Sequence, residues 1–341
     1  MFSQKLMQSM LMKKIQKHPT RLIFSACYLR HDVFEERKKL FISKLSEDQL
    51  QTEKEHLQKV LSSKPAHAVD TRQIANLTYL CENENDVDLL YPIITAFVEE
   101  SRTKKYHENA LKNYFSMCYA RLDEKAAKKL ANIGLSSQHC RNKYFSLLYE
   151  LKLFADIIEI FENGLLNENS DDYVYYMASL CTIGNQTCFD KATKLMEKHF
   201  NYTEEKTLGG RTGHLYSFFA TKQEEFGIAM DTLTQSQPKL IKNENRVTTN
   251  LKVYNYLCSK RSEDAYAYLE NLNFNTDSPK ISLSSENWNS FAKYQGRIKE
   301  LDKIEIIDDS VEEMVFKPIQ MSDAMARKTK SNEKQAIRNP V

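Results

Sequence analysis

Several clusters in the sequence contain residue types that could do chemistry, and their spacing decides what each one could be. The glycine cluster GGRTGH at 209–214 lacks the GxxxxGK[ST] spacing of a phosphate-binding loop, so we expect a turn between helices there. The segment 301–313 has six acids and one lysine. It resembles a metal site only by composition, and a solvated acidic segment is the simpler interpretation. No His-Glu pattern of a metalloprotease and no nucleophile–base pattern occurs, so the sequence predicts no catalytic residue, metal or cofactor.

The seven cysteines are odd in number and contain no CxxC pair, which favours reduced thiols over disulfides or a metal site. Cys81, Cys118, Cys181 and Cys258 each end an apolar helical run. We therefore expect them to be small buried hydrophobic residues.

The charges are unevenly distributed along the chain. The 48 Lys and Arg nearly balance the 46 Asp and Glu, but residues 1–31 hold six bases and no acid. The rest of the chain then has 42 bases and 46 acids. A basic, amphipathic, acid-free leader is typical of a mitochondrial transit peptide, which we assign to 1–35. The open alternative is a basic N-terminal helix of the folded domain.

Composition predicts an all-α protein. Only 8 Gly and 7 Pro occur in 341 residues, so few residues break helices over this length. No apolar run reaches the roughly 18 residues of a membrane-spanning helix, so we expect no membrane insertion.

Pairs of amphipathic helices recur along the body of the chain. A small or aliphatic residue lies early in each second helix, with spacings of 37, 30, 35, 37 and 36. These landmarks are Leu90, Ala127, Ile157, Ala192, Ala229 and Ala265. A mean period of 35 with two helices per unit predicts an α-solenoid of about six helix pairs over 36–273. Trp288 with Phe291, Ile298, Leu301 and Ile304 predicts one capping helix within 274–316, followed by a basic, disordered tail at 317–341.

The repeat motif narrows the class of solenoid. The L-G-x-x-Y of tetratricopeptide repeats is absent, whereas an Ala-centred second helix is typical of pentatricopeptide repeats. The segments LCENENDVDLL (80–90), CYARLDEKAAKKL (118–130) and DDYVYYMASLC (171–181) resemble the mitochondrial pentatricopeptide repeat-containing protein 2 family of animals. That resemblance implies a non-enzymatic protein of the mitochondrial matrix that binds single-stranded mRNA precursors during RNA processing and so supports the respiratory chain.

The resemblance also implies where bases would be read. Repeats of this type place about one base per unit, and amide side chains offer a donor and an acceptor to its edge. Counting back fifteen residues from each landmark gives Ala75, Lys112, Asn142, Met177, His214 and Asn250, with Val174 the better choice in place of Met177 because the turn of that unit is longer. Capping a helix start is the open alternative for each asparagine.

Phosphate contacts would need a local basic stripe, because the body as a whole is acidic. Candidates recur near the starts of first helices: Arg102, Lys104, Lys105, Arg141, Lys143 and Arg211. Solvated loop charge is the open alternative for each. A helical-repeat scaffold that binds a protein in a mitochondrial assembly or the mitoribosome is the competing function, favoured by the degenerate repeats and the acidic body.

Overall fold

The computed structural model describes residues 34–62, 71–100, 104–164, 170–200, 210–235, 246–274, 280–291 and 293–316. These residues form seventeen helices and two short strands, which confirms the predicted all-α, helical-repeat fold class. The predicted leader lies outside the described residues except for its last two positions. The predicted tail at 317–341 lies outside them entirely.

Longer helices make up most of the described chain as far as Phe274, and short helices and two strands follow. The helices are α1 (Phe34–Ile42), α2 (Glu47–Ser62), α3 (Thr71–Leu80), α4 (Glu84–Glu100), α5 (Lys104–Arg121), α6 (Glu124–Gly134), α7 (Gln138–Glu150), α8 (Phe154–Glu162), α9 (Ser170–Ile183), α10 (Gln186–Phe200), α11 (Gly210–Lys222), α12 (Phe226–Gln235), α13 (Arg246–Cys258), α14 (Ser262–Phe274), α15 (Ser285–Ser290), α16 (Gln295–Lys299) and α17 (Val311–Phe316). The strands are β1 (Ile281–Ser284) and β2 (Ile304–Ile307).

Six successive helix pairs run from α3/α4 to α13/α14, and all six predicted landmarks lie in the second helix of a pair. Every landmark is completely buried. They are Leu90, Ala127, Ile157, Ala192, Ala229 and Ala265. A small or compact side chain is needed there because neighbouring helices approach closely, which is why the spacing of these residues revealed the repeat.

Most pairs turn through one residue in the left-handed region. Its φ lies between 55° and 73° at Leu122, Lys152, Gly184, Glu224 and Lys260. In the α7/α8 pair the N–H of Leu153 donates to the carbonyl of Leu148 at 2.8 Å, a six-residue loop typical of a helix C-terminus. Equivalent bonds occur after Leu122, Glu224 and Lys260. The same turn therefore connects the two helices in four pairs of unlike sequence.

The described chain divides into two compact units, with the boundary inside α9 between Asp172 and Tyr173. In unit 1 the first helix α5 packs between α3 and α7, while the second helix α6 contacts α4 and α5. The close approach of α5 and α6 depends on Gly134, since a Cβ there would lie 2.2 Å from Phe115 Cε2. Phe115 is 1% exposed and has no room to move away.

Helices α1 and α2 precede the pairs that the sequence revealed. Helix α1 packs against α3 and α5, with Phe34 and Phe41 at 5.3 and 5.6 Å from the ring of Tyr79. Its sequence is FEERKKLFI, and it buries only Phe34.

The end of unit 2 differs from the single capping helix that the sequence predicted. Phe291 ends α15, Ile298 lies in α16, and Ile304 begins β2, which pairs in parallel with β1. The apolar residues do pack as expected, because Phe291, Ile298 and Leu301 join Ala265 and Leu269 in one core cluster. Helical spacing of apolar residues was misleading here because one short helix ends at the C-cap Phe291 and the next at the C-cap Glu300.

None of the helices in the described ranges is long and apolar enough to span a membrane.

Candidate nucleic-acid interface

Five of the counted base-facing residues occupy one position of the repeat, ten residues before the left-handed turn residue of their pair. This position holds Lys112, Asn142, Val174, His214 and Asn250. The choice of Val174 for α9 agrees with this register. The environments differ, however: Lys112, Asn142 and His214 are partly exposed, whereas Val174 and Asn250 are buried.

Asn250 is fully buried, and its side chain joins α13 to β1 by hydrogen bonds, so its predicted base-facing role is wrong. Its Nδ2 donates to the carbonyls of Arg246 at 2.9 Å and Ser282 at 2.7 Å. Its Oδ1 accepts from the N–H of Ser284 at 2.8 Å, and Asn287 Nδ2 donates to its backbone carbonyl at 2.9 Å. All the donor and acceptor capacity that a base would need is used inside the protein.

His214 is tied to the neighbouring first helix. Its Nε2 lies 2.9 Å from Thr248 Oγ1 of α13. Burial of the ring, and to a lesser degree the charge of Arg211, lowers the pKa of His214 to about 4. The imidazole is therefore neutral near neutral pH and offers no positive charge to a phosphate. Gly210 to His214 form the first turn of α11, so the glycine cluster is not the inter-helix turn that the sequence predicted.

Arg141 is buried, which contradicts its predicted role as a phosphate contact. Its side chain is 3% exposed, and its Nε donates to Asp172 Oδ2 at 3.1 Å. Its Nη1 donates to the carbonyl of Leu135 at 2.8 Å. A buried guanidinium needs such partners, and they leave it inaccessible to a ligand.

The other predicted phosphate contacts fall into two groups. Arg102 lies outside the described residues, and Lys104 and Lys105 are described only as backbone in the first turn of α5. Lys143 and Arg211 are partly exposed on first helices. Of the predicted residues, the structure brings Lys112, Asn142 and Lys143 onto neighbouring helices of unit 1.

These three residues belong to a larger set, which we call the α5–α7 face. Its members are Lys112, Asn113 and Tyr119 of α5 with Asn142, Lys143 and Tyr149 of α7, and all are partly exposed. The two helices pack against each other, and Lys143 Nζ lies 5.7 Å from the ring centroid of Tyr119. This cation–π contact joins the two halves of the face.

Sequence reasoning missed Asn113, Tyr119 and Tyr149, although a signal was present. The segments KNYFSMCY (112–119) and NKYFSLLY (142–149) are near-copies in equivalent positions. The first residue of each copy and the tyrosine seven positions later share one helix surface. Both copies therefore expose an amide, an ammonium and a phenol, although the amide and the ammonium exchange places between them.

The buried Tyr–Phe pair that both segments contain holds the α5–α7 face in place. Tyr114, Phe115, Tyr144 and Phe145 are almost fully buried, and the rings of Phe115 and Tyr144 lie 5.8 Å apart. Tyr114 donates its hydroxyl to the carbonyl of Ala126 at 3.0 Å, and burial raises the pKa of Tyr114. These anchors hold α5 and α7 in register, so the exposed side chains above them have defined positions.

The corresponding face of unit 2 is apolar and covered by the chain's own C-terminal helix. Phe218 and Tyr254 replace Ser116 and Ser146 six residues before the turn, and the ring of Phe316 lies 6.2 Å from Phe218. Helix α17 packs on α11 and α13 through four buried side chains, Val311, Met314, Val315 and Phe316. Ion pairs of Asp309 with Arg246 and of Glu312 with Lys222 hold its acidic side.

The described residues contain no group of three or more His, Cys, Asp or Glu that could hold a metal ion. Burial raises the pKa of Cys81, Cys140 and Cys181 to about 12 and also raises that of Cys118. These thiols therefore carry negligible thiolate at neutral pH.

No protein-family model matches this chain. A search of curated proteins likewise finds no match.

Proposed function

We propose that this protein is a non-enzymatic helical-repeat protein that binds single-stranded RNA through the α5–α7 face. The observation that carries the proposal is that two adjacent first helices each expose an amide and an ammonium at the same two positions, in opposite order, and a phenol at the same third position. Single-stranded RNA matches this chemistry because it repeats a base, a sugar and a phosphate along its length.

Each residue type of the face has a physical role toward RNA. Tyr119 and Tyr149 offer aromatic rings on which successive bases can stack, a contact worth about 1–3 kcal/mol per base. Lys112 and Lys143 offer charge to phosphates, and Asn113 offers a donor and an acceptor to a base edge, whereas the Oδ1 of Asn142 is buried. The family resemblance of the repeats supports the same ligand class.

The cellular site of action is a separate part of the proposal. The basic, acid-free leader supports import into the mitochondrial matrix, where the RNA would be a precursor of mitochondrial mRNA. A fusion of residues 1–35 to a fluorescent protein tests this. Protease-protected fluorescence inside isolated mitochondria is expected, and a fusion that stays outside them would contradict the assignment.

Binding of a labelled single-stranded RNA, followed by fluorescence anisotropy across a salt series, tests the proposed interface. The Lys112→Ala/Lys143→Ala variant should bind about tenfold more weakly, with a salt slope shallower by about 1.4, because each phosphate contact on a single strand contributes about 0.7. The Tyr119→Ala/Tyr149→Ala variant should lose at least about tenfold in affinity with an unchanged salt slope.

A matched control removes the same charge from second helices. Lys125 and Lys194 are exposed on α6 and α10, and the Lys125→Ala/Lys194→Ala variant should bind like the parent protein. Equal weakening by both lysine pairs would mean that the attraction is diffuse, which would contradict a defined interface.

A second candidate function, binding of a protein partner, is favoured by one observation. In unit 2 the face formed by first helices already holds an amphipathic helix, α17. The same surface type can therefore accept a helix in place of RNA. Absence of RNA binding by the parent protein at low salt, where electrostatic attraction is strongest, would favour this second function.

A further inference from the structure

Helix α17 covers a surface of unit 2 that is formed by aromatic and basic residues. It packs on both first helices, α11 and α13. The rings of Phe218 of α11 and Tyr254 of α13 are stacked, with their centroids 5.8 Å apart. The Nζ of Lys222 lies 5.2 Å from the centroid of the Phe218 ring. Aromatic rings beside a cation are the side chains with which proteins hold single-stranded nucleic acids.

The charges of these two first helices are opposite to those of their cover. Helices α11 and α13 contain four bases and no Asp or Glu: Arg211, Lys222, Arg246 and Lys252. The segment 308–313, which leads into α17, contains four acids and no base. Asp309 forms an ion pair with Arg246. Glu312 Oε2 lies 3.9 Å from Lys222 Nζ. The surface thus attracts anions, and the chain's own acidic segment supplies them.

Helix α17 makes the two kinds of contact that RNA makes with a protein. The carboxylates of Asp309 and Glu312 lie against cations, as phosphates do. The ring of Phe316 meets Phe218 edge-on at 6.2 Å, and it occupies the space in which a base would stack. Helix α17 and a single strand of RNA would therefore compete for the same side chains.

The docking of α17 depends on contacts that a competitor could replace. The helix has six residues, and helices shorter than about 12 residues are marginal in water, so its helical form depends on its packing. The side chains of Arg246 and Asp309 are 41% and 35% exposed, and that of Glu312 is 62% exposed. Ion pairs this exposed are weak and are screened by salt.

We propose that α17 is an autoinhibitory cover, which RNA displaces from a second contact surface formed by Phe218, Lys222, Arg246 and Tyr254. This inference rests on the proposed function, because the ligand is the same single-stranded RNA. While α17 is docked, the protein binds RNA through the α5–α7 face alone. Once α17 leaves, the two rings stack on bases and the two cations contact phosphates. RNA shifts the equilibrium toward the open state because only that state offers the second surface.

Fluorescence anisotropy of a labelled oligouridylate with the full chain tests this inference. The Asp309→Asn/Glu312→Gln variant removes the ion pairs that hold α17. It should bind about tenfold more tightly than the parent protein, because a further base can then stack. The Glu300→Gln/Asp302→Asn variant is the matched control. It raises the net charge by the same amount at exposed positions of unit 2 and should bind like the parent.

A second variant releases α17 without any change of charge. Met314 is 3% exposed, so Met314→Gln places an amide in an apolar contact and should raise the affinity in the same way. Addition of Lys222→Ala/Arg246→Ala to either release variant should remove the gain. A gain that survives this addition would contradict the proposed surface.

Hydrogen exchange followed by mass spectrometry gives a readout that does not depend on affinity. In the parent protein, the amides of Val311–Phe316 should exchange faster when a saturating amount of the oligouridylate is added, because bound RNA displaces the helix. Unchanged exchange of these amides while RNA is bound would overturn the inference.

The outcomes separate this inference from the proposed function. If the parent binds RNA and both release variants bind equally well, the inference is wrong and the α5–α7 face stands. If the release variants bind and the parent does not, the α5–α7 face is wrong and the inference stands. If none of them binds, both are wrong, and an acidic helix of a partner protein is favoured as the ligand of this surface.

Discussion

Arg141 and Asp172 form an ion pair within unit 1 whose side chains are only 3% and 1% exposed. The pair joins helix α7 to the first turn of α9, over a Nε–Oδ2 distance of 3.1 Å. A residue that the sequence offered as a phosphate contact is therefore a buried structural residue of unit 1. Removal of a partner would leave a buried charge uncompensated.

Truncation of either partner should strongly destabilise the protein. We expect Arg141→Met and Asp172→Leu each to cost about 3–5 kcal/mol in the free energy of unfolding, because one charge stays buried alone. The double variant should recover most of that loss, since two apolar groups replace the pair. Urea unfolding measures all three values, and single variants that cost less than about 1 kcal/mol would contradict the burial of the pair.

Substitution by alanine should change the stability of the protein in opposite directions at two glycines. Gly134→Ala places a Cβ 2.2 Å from Phe115 and should cost about 1–3 kcal/mol through overpacking. Gly227→Ala lies in helix α12 with no atom within 4 Å and should stabilise by about 0.5–1 kcal/mol through helix propensity. Thermal unfolding separates the two, and stabilisation by both substitutions would show that Phe115 moves freely.

His214 predicts a loss of stability in mild acid. Its pKa is about 4 in the folded protein and near 6.5 in an unfolded chain, so between these pH values only the unfolded chain takes up the proton. Stability therefore falls as the pH drops from 6.5 toward 4, by about 1–3 kcal/mol. Above pH 6.5 His214 is neutral in both the folded and the unfolded state, so the protein keeps its full stability there.

The His214→Gln variant provides the control for this pH dependence. Glutamine keeps a polar contact to Thr248 but does not titrate, so the difference in stability between parent and variant should change through this window. Urea unfolding at several pH values measures the difference. A difference that stays constant from neutral pH to pH 4 would show that His214 binds protons equally in both states.

Spacing along the chain was sufficient to predict the helix pairs but not the contacts between them. The landmarks from Leu90 to Ala265 repeat in sequence because each pair must bury a small residue at the same place. Asn250 also repeats in register, yet its partners Ser282 and Ser284 lie more than thirty residues away in a segment outside the repeat. Tertiary partners of this kind decide whether an amide faces a ligand or the core.

The α5–α7 face could also be predicted only in part from the sequence. Lys112, Asn142 and Lys143 were found from their place in the repeat alone, although Lys112 lies in the middle of α5. Tyr119 lies seven residues further along α5, and its role depends on the contact with Lys143 of the next pair. Knowledge of which helices are neighbours was needed before the aromatic and basic residues could be read as one surface.

Ultraviolet crosslinking of the full chain to a labelled single-stranded RNA, with the crosslinked peptides identified by mass spectrometry, tests the proposed interface most directly. We expect the main crosslinks at Tyr119 and Tyr149, because stacked bases would contact these rings. The Lys112→Ala/Lys143→Ala variant should reduce both. Crosslinks confined to second helices or to unit 2, or none at RNA concentrations that saturate binding, would contradict RNA binding on the α5–α7 face.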